Sequence, residues 1–277
     1  MIQKACPPMA AAPLFDGCHD TIVWSCLDGT MGEIFVDTEA SPGTYSGTFP
    51  VPEAHPVSAM AVLGDFVFLA GAPSLPLLEK IHGEKHPFQI LIPQSDSWNL
   101  PIVRIFKESA KPITRYATKK DPKAFSTEKL LAIRESLPAG CTLHPIDENI
   151  YHQCQAEGWS RDLVSQFPDW DTYRRLGLGI VVLADGKPVS GASSYSRYKD
   201  GTEIEIDTTE SFRRKVLASA CGAALILECL NQGLYPSWDA HTLQSLSLAQ
   251  KLGYQPAGPY PAYEITLQQS LSRRLFR

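Results

Sequence analysis

The stretch Gly201–Gly233, GTEIEIDTTESFRRKVLASACGAALILECLNQG, constrains the fold more than any other part of the chain. Glu203-Ile204-Glu205-Ile206-Asp207 alternates polar and apolar residues. That pattern predicts a strand with one core face and three carboxylates on the other. Thr208-Thr209-Glu210-Ser211 reads as a polar turn. Phe212-Arg213-Arg214-Lys215 then opens a long apolar helix, which stops at Asn231-Gln232-Gly233 with the glycine that favours a C-terminal cap. An acid-bearing strand that runs into a basic helix start suits a phosphorylated ligand. Exposed N–H groups and the positive end of the helix dipole both favour phosphate there.

The 277 residues permit one large domain or two of ordinary size. Apolar residues at 44% and charged residues at 20% suit a soluble protein with a sizeable core. A net charge of -5 argues against a nucleic-acid partner. No apolar run approaches membrane-spanning length, and the N-terminus lacks the apolar core of a secretory signal, so a cytoplasmic location without membrane contact is expected. The seven cysteines are odd in number and form no C-x-x-C pair, which fits reduced thiols. Cys221 and Cys229 fall within the helical pattern as small hydrophobes. Cys18-His19-Asp20 has no second cluster at metal-ligand spacing, so no metal is expected.

Taken in order, Thr21–Cys26 and Gly32–Asp37 read as strands around Asp28-Gly29, a hairpin signal. Ala40–Pro56 reads as a loop. Ser58–Leu63 and Asp65–Ala70 are predicted as two strands or one bent strand, Phe88–Pro93 and Ile113–Thr118 as strands, and Leu75–His82 and Ser97–Lys107 as helices. A linker and helix, Ser126–Leu137, lead into the second half. There, strands are predicted over Cys141–Ile146, Gly179–Ala184 and Pro188–Arg197, and over Tyr235–Ala240 and Tyr254–Leu267. Helices are predicted over Asp147–Ala156, Arg161–Phe167, Trp170–Leu176 and Leu243–Leu252. The result is a mixed α/β fold. The expected domains are 1–125, an accessory α/β domain, and 141–277, joined by a linker helix and turn over 126–140.

This order of elements, with these residues, resembles the GNAT family of acetyl-CoA-dependent acyltransferases. The family's [Q/R]-x-x-G-x-[G/A] turn aligns with Arg213-Arg214-Lys215-Val216-Leu217-Ala218. Its next helix aligns through Thr242-Leu243-Gln244-Ser245 and Lys251-Leu252-Gly253-Tyr254. Trp238-Asp239-Ala240 and Ser190-Gly191-Ala192-Ser193-Ser194-Tyr195 look like the subfamily with an extra N-terminal domain, with which a zwittermicin-type antibiotic-resistance acetyltransferase is associated. The GNAT resemblance covers about residues 141–277. The strands and helices over Asp65–Thr118 repeat part of the second half's rhythm, as a degenerate GNAT half would, and such a domain would shape the acceptor cleft or serve as an interface module.

The resemblance implies acetyl-CoA as co-substrate and a small-molecule amine as acceptor, with direct transfer in a ternary complex. The pantetheine arm would lie between splayed strands near Ile206, Asp207 and Thr208. The pyrophosphate would sit on Arg213, Arg214, Lys215, Val216, Leu217, Ala218 and Ser219, with Thr242 and Ser245 on the facing helix. Glu205 is the leading general-base candidate and Glu203 the second, since both are carboxylates just before the turn. Trp159 and Tyr195 are candidates for the acceptor pocket. A homodimer is left open. Three positions depart from the family pattern: Val216 replaces glycine, Thr242 replaces asparagine, and Ala249 stands where many members place an acid tyrosine. Valine suits the turn if helical φ suffices and crowds it if positive φ is needed. These departures leave a second reading open, that of a weakened acyl-CoA-binding sensor or structural protein.

Overall fold

The structure is a computed structural model and describes residues 1–38, 56–83 and 87–266. Along the chain the elements run β1 (Ile2–Lys4), α1 (Thr21–Asp28), β2 (Glu33–Thr38), β3 (Pro56–Leu63), β4 (Phe66–Gly71), α2 (Leu75–Gly83), β5 (Phe88–Pro93), α3 (Asn99–Phe106), β6 (Ala110–Thr118) and α4 (Thr127–Arg134). The second half continues with β7 (Cys141–Pro145), α5 (Glu148–Ala156), α6 (Trp170–Leu176), β8 (Gly179–Ala184), β9 (Lys187–Tyr198), β10 (Gly201–Thr208), α7 (Leu217–Asn231), β11 (Tyr235–Ser237), β12 (Asp239–Ala240), α8 (Leu243–Leu252) and β13 (Pro256–Thr266). The mixed α/β class agrees with the sequence expectation. Among the described residues no helix is long and apolar enough to cross a membrane.

Backbone contacts divide the chain into two compact units, Met1–Ile113 with the segment from Pro261 onward, and Thr114–Tyr260. In the first unit the strands lie in the order β1-β2-β3-β4-β5-β13. All neighbours are antiparallel except β4 and β5, which are parallel across α2. The apolar runs of β3, β4 and β5 supply Met60, Leu69 and Leu91 to a core closed by Leu77, Leu78 and Ile81 of α2 and by Ile102 and Phe106 of α3. Trp98 fills the same core and donates its indole N–H to the Gly71 carbonyl at 3.1 Å, so that N–H is not stranded.

In the second unit a sheet runs in the order β11-β10-β9-β8-β7, antiparallel except for β10 with β11. Most of α7 is buried, as an apolar helix without a polar face requires. Leu225 and Ile226 are fully buried, each worth roughly 1.5–3 kcal/mol. Gly222 lets α7 settle closely: a Cβ there would stand 2.8 Å from Leu252 Cδ1 and 2.9 Å from Ile206 Cδ1. Ala192 of β9 joins the α7 core. Its neighbours Gly191 and Ser193 face the other way, against Leu163 and the Tyr173 hydroxyl.

Four sequence expectations are corrected. Thr21–Cys26 is not a strand but part of α1. Its β-branched residues are outweighed by the caps: Asp20 Oδ1 accepts from the Ile22 N–H at 2.9 Å, and Gly29, at φ 75°, closes the C-terminus instead of a hairpin. The helix expected over Arg161–Phe167 is a single 3-10 turn, Arg161–Leu163. The long helix begins at Leu217 rather than Phe212, because Arg214 and Val216 both adopt positive φ. The strand expected over Tyr235–Ala240 is broken at Trp238 into β11 and β12. The loop expected over Ala40–Pro56 falls outside the described residues apart from Pro56, which opens β3.

Candidate active site

β10 and α7 are joined by a turn that forms one wall of a cavity of about 420 Å³. Ile206, Asp207 and Thr208 supply the strand end, Arg213 to Ser219 the turn and helix start, and Trp238, Thr242, Gln244, Ser245, Leu248 and Lys251 the facing wall. The turn reverses handedness twice: Arg213 is extended, Arg214 has φ 60°, and Val216 has φ 59° and ψ -4°. Glycine at the Val216 position would adopt this backbone without strain, whereas an L-residue costs about 1–2 kcal/mol. No side chain caps the helix. Its first intrahelical bond, Ala220 N–H to the Val216 carbonyl at 3.0 Å, leaves the N–H groups of Leu217, Ala218 and Ser219 ahead of it. A helix start of this kind, with positive-φ backbone before it, favours an anion.

Cations line the same groove. Arg213 Nε donates to the Thr208 carbonyl at 3.2 Å, which ties the turn to the strand end. The Lys215 ammonium lies 4.6 Å from the Phe212 ring centroid. Lys251 Nζ donates to Ser219 Oγ at 3.1 Å, and that hydroxyl donates to the Val216 carbonyl at 2.8 Å. On the facing wall Thr242 caps α8, its Oγ1 accepting from the Ser245 N–H at 3.1 Å. Trp238 Nε1 donates to Ser245 Oγ at 3.2 Å, which leaves the Ser245 hydroxyl proton for a ligand.

Acids gather on the other side of β10. Glu205 lies opposite Ser193 and Asp207 opposite Gly191 in the β9 ladder. Because Gly191 has no side chain, Leu163 packs over it, and Asp162 in the same 3-10 turn comes within electrostatic reach of both carboxylates. Burial pushes the Glu205 carboxyl up to about 8, and the charges of Asp162 and Asp207 add to the rise. Glu205 is half-buried by accessible area, yet protein surrounds it closely enough for desolvation to dominate. Among the described residues no hydrogen bond or ion pair holds its carboxylate. Burial also raises Asp207, whose Oδ1 accepts from the Thr208 N–H at 2.6 Å.

The sequence model of the GNAT acetyltransferase family matches residues 12–263. The chain belongs to this family. A GCN5-related N-acetyltransferase-like protein from Streptococcus suis 89/1591 is 45% identical, with a TM-score of 0.84 over 94% of this GNAT chain and 99% of that one. An uncharacterized N-acetyltransferase of Bacillus subtilis (strain 168), YdfB, is 29% identical over 264 residues, 88% of this chain and 89% of its own. A tandem GNAT protein from the clavulanic acid biosynthesis pathway shares the fold at 10% identity, with a TM-score of 0.54 over 95% of this chain and 97% of that one. The protein is an acyltransferase by family.

Every residue expected to hold the cofactor lines this same groove. Glu205 and Glu203 lie on the strand that leads into it, separated by a register shift. The pairing passes from Glu203↔Ser196 to Ile204↔Ser194, so Tyr195 is the extra residue of a β-bulge. Tyr195 is buried and Trp159 half-buried, and neither lines the groove. Ala249 is fully buried in the core, so α8 offers no acid at that position. Sequence reading missed Asp162, Lys251 and the Arg115–Asp239 pair as site residues. Lys251 and Asp239 lay within quoted motifs, and Arg115 stood as a charge inside an otherwise strand-like run.

Proposed function

We propose that this protein transfers an acetyl group from acetyl-CoA to a small cationic amine by direct attack within a ternary complex. The observation that carries the reading is Glu205, a carboxylate on the strand that feeds the groove, held by no hydrogen bond or ion pair among the described residues, set near Asp162 and Asp207, and pushed by burial up to about 8. The groove fits the co-substrate: uncapped N–H groups and positive-φ backbone suit a pyrophosphate, and Arg213, Arg214, Lys215 and Lys251 supply counter-charge. Bound acetyl-CoA supplies an acyl carbon activated by a good leaving thiolate.

The chain's own groups do the rest. Glu205 takes a proton from the acceptor ammonium, directly or through one water, which frees the nitrogen lone pair for attack. A pKa near 8 brings this carboxyl closer to an amine's than an ordinary glutamate would be. Asp162 and Asp207 favour a positively charged acceptor beside it. Ser245, oriented by Trp238, can donate a hydrogen bond toward the departing sulfur.

Calorimetric titration with acetyl-CoA and CoA, followed by thiol release over a panel of amines, tests the reading. Saturable binding with turnover on diamines or aminopolyols is expected, and no binding at high micromolar protein would defeat it. The strained Val216 and the buried Ala249 favour a second reading, an acyl-CoA sensor, which binding without turnover on any amine would support. Replacing Val216 with glycine relieves the strain and removes a side chain that is 43% exposed at the groove. We expect stability to change by about 1 kcal/mol or less, because glycine's chain entropy offsets the relief. Acetyl-CoA binding should tighten by up to about tenfold. An unchanged affinity in the same titration would mean that valine does not obstruct the groove.

A further inference from the structure

The parallel ladder of β10 with β11 ends at Glu203↔Ser237. Two residues later the returning chain pairs with β6 instead, Asp239 opposite Ala117 and Ala240 opposite Tyr116. At the point of exchange a side chain replaces the strand partner: the Asp239 N–H donates to Glu203 Oε1 at 2.7 Å. Glu203 is only 5% exposed. From the other side Arg115 Nε donates to Asp239 Oδ1 at 2.6 Å and to the Tyr260 hydroxyl at 3.3 Å. Thr118 Oγ1 donates to the Trp238 carbonyl at 2.6 Å. Beyond this fork β10 continues from Ile204 to Thr208 with no further β11 pair, and the groove opens between Ile206–Thr208 and Trp238.

We propose that Glu203 is a positioning residue that, with Asp239 and Arg115, braces the fork between β10 and β12 and sets the width of the gap that admits the pantetheine arm of acyl-CoA. The inference rests on the acyl-CoA reading above and replaces a proton-transfer role for Glu203. Its Oε1 is committed to the Asp239 N–H, in a site that is almost wholly buried. The tyrosine bulge also separates Glu203 from Glu205, which lies beside Asp162 and Asp207.

The test compares Glu203→Gln with Glu203→Ala in the full-length protein, using amide exchange at Asp239, titration with acetyl-CoA and with adenosine 3′,5′-bisphosphate, and the pH profile of turnover. The glutamine carbonyl can still accept the Asp239 N–H, so this variant should keep slow exchange, near-normal acetyl-CoA affinity and a rising limb in its pH profile, moved to slightly lower pH because the Glu203 charge adds to the rise at Glu205. The alanine variant should exchange at Asp239 faster by about tenfold or more, the loss expected for a hydrogen bond to a charged group. It should also bind acetyl-CoA at least about tenfold more weakly, while the bisphosphate, which lacks the pantetheine arm, binds unchanged. Where the alanine variant does not fold, Glu203→Asp, too short for the same bond, takes its place. Normal acetyl-CoA affinity in the alanine or aspartate variant would overturn the brace. So would a glutamine variant that loses turnover together with the rising limb of its pH profile. Failure of the wild-type protein to bind acetyl-CoA would instead defeat the acyl-CoA reading, and Asp239 exchange would still report whether the fork is braced.

Discussion

Replacing Glu205 with glutamine lowers turnover by about 10²–10⁴-fold, the range contributed by a positioned general base. Acetyl-CoA affinity should change little, because the pyrophosphate end of the groove is built from the turn and α7 rather than from this carboxyl. The pH profile makes the assignment specific. With the carboxyl at about 8, wild-type kcat/KM rises roughly tenfold per pH unit below that value and levels off above it. The glutamine variant lacks this limb. Stability moves in the opposite sense. The folded state holds the Glu205 proton between the ordinary value of 4.5 and about 8, so the unfolded state binds fewer protons across that window. Wild-type stability therefore falls as pH rises from 4.5 through 8 and stays reduced above it. Glutamine removes that loss, so its advantage in thermal melts should be larger at pH 9 than at pH 5. Equal losses of turnover and acetyl-CoA affinity, with melts that do not diverge with pH, would instead make Glu205 structural.

The groove was legible in the sequence because nearly all of it comes from two local stretches. Ile206 to Ser219 is one strand-turn-helix passage, and Thr242 to Ser245 is one helix cap. Capping chemistry also made α5 readable, through Asp147, whose Oδ1 accepts from the Ile150 N–H at 2.8 Å. The C-terminus of α7 was readable through Gly233, at φ 71°. Where local signals conflicted, as in Thr21–Cys26, the caps decided and periodicity misled. The handedness of the turn was hidden because valine avoids positive φ, so the residue itself argued against the backbone it adopts. Glu205 could be named as a base, but its basicity could not, since that depends on Asp162 and on burial. Arg115 and Asp239 were hidden for a related reason: they meet across 124 residues of sequence.

That pair carries the largest stability effect expected in the second unit. Arg115 and Asp239 retain only 5% and 11% side-chain exposure and meet at 2.6 Å through both Nε and Nη2. Burial works against the guanidinium charge, but the facing Asp239 carboxylate overrides it and holds Arg115 cationic. Replacing Arg115 with methionine keeps most of the volume and leaves Asp239 buried without that counter-charge. We expect a loss of about 3–5 kcal/mol, measured by chemical denaturation at pH 7. The pair itself need not be strongly stabilising, because desolvation offsets much of its attraction. Combining Arg115→Met with Asp239→Leu should therefore recover most of the loss, and the double-mutant cycle should give a coupling of at least about 2 kcal/mol. The single Arg115→Met variant should also shift the rising limb of the pH profile to higher pH, since Arg115 is the cation that opposes the rise at Glu205. A limb that stays in place while stability falls would confine Arg115 to holding Asp239. A limb that moves would mean that one guanidinium both braces the strand fork and tunes the base beside it.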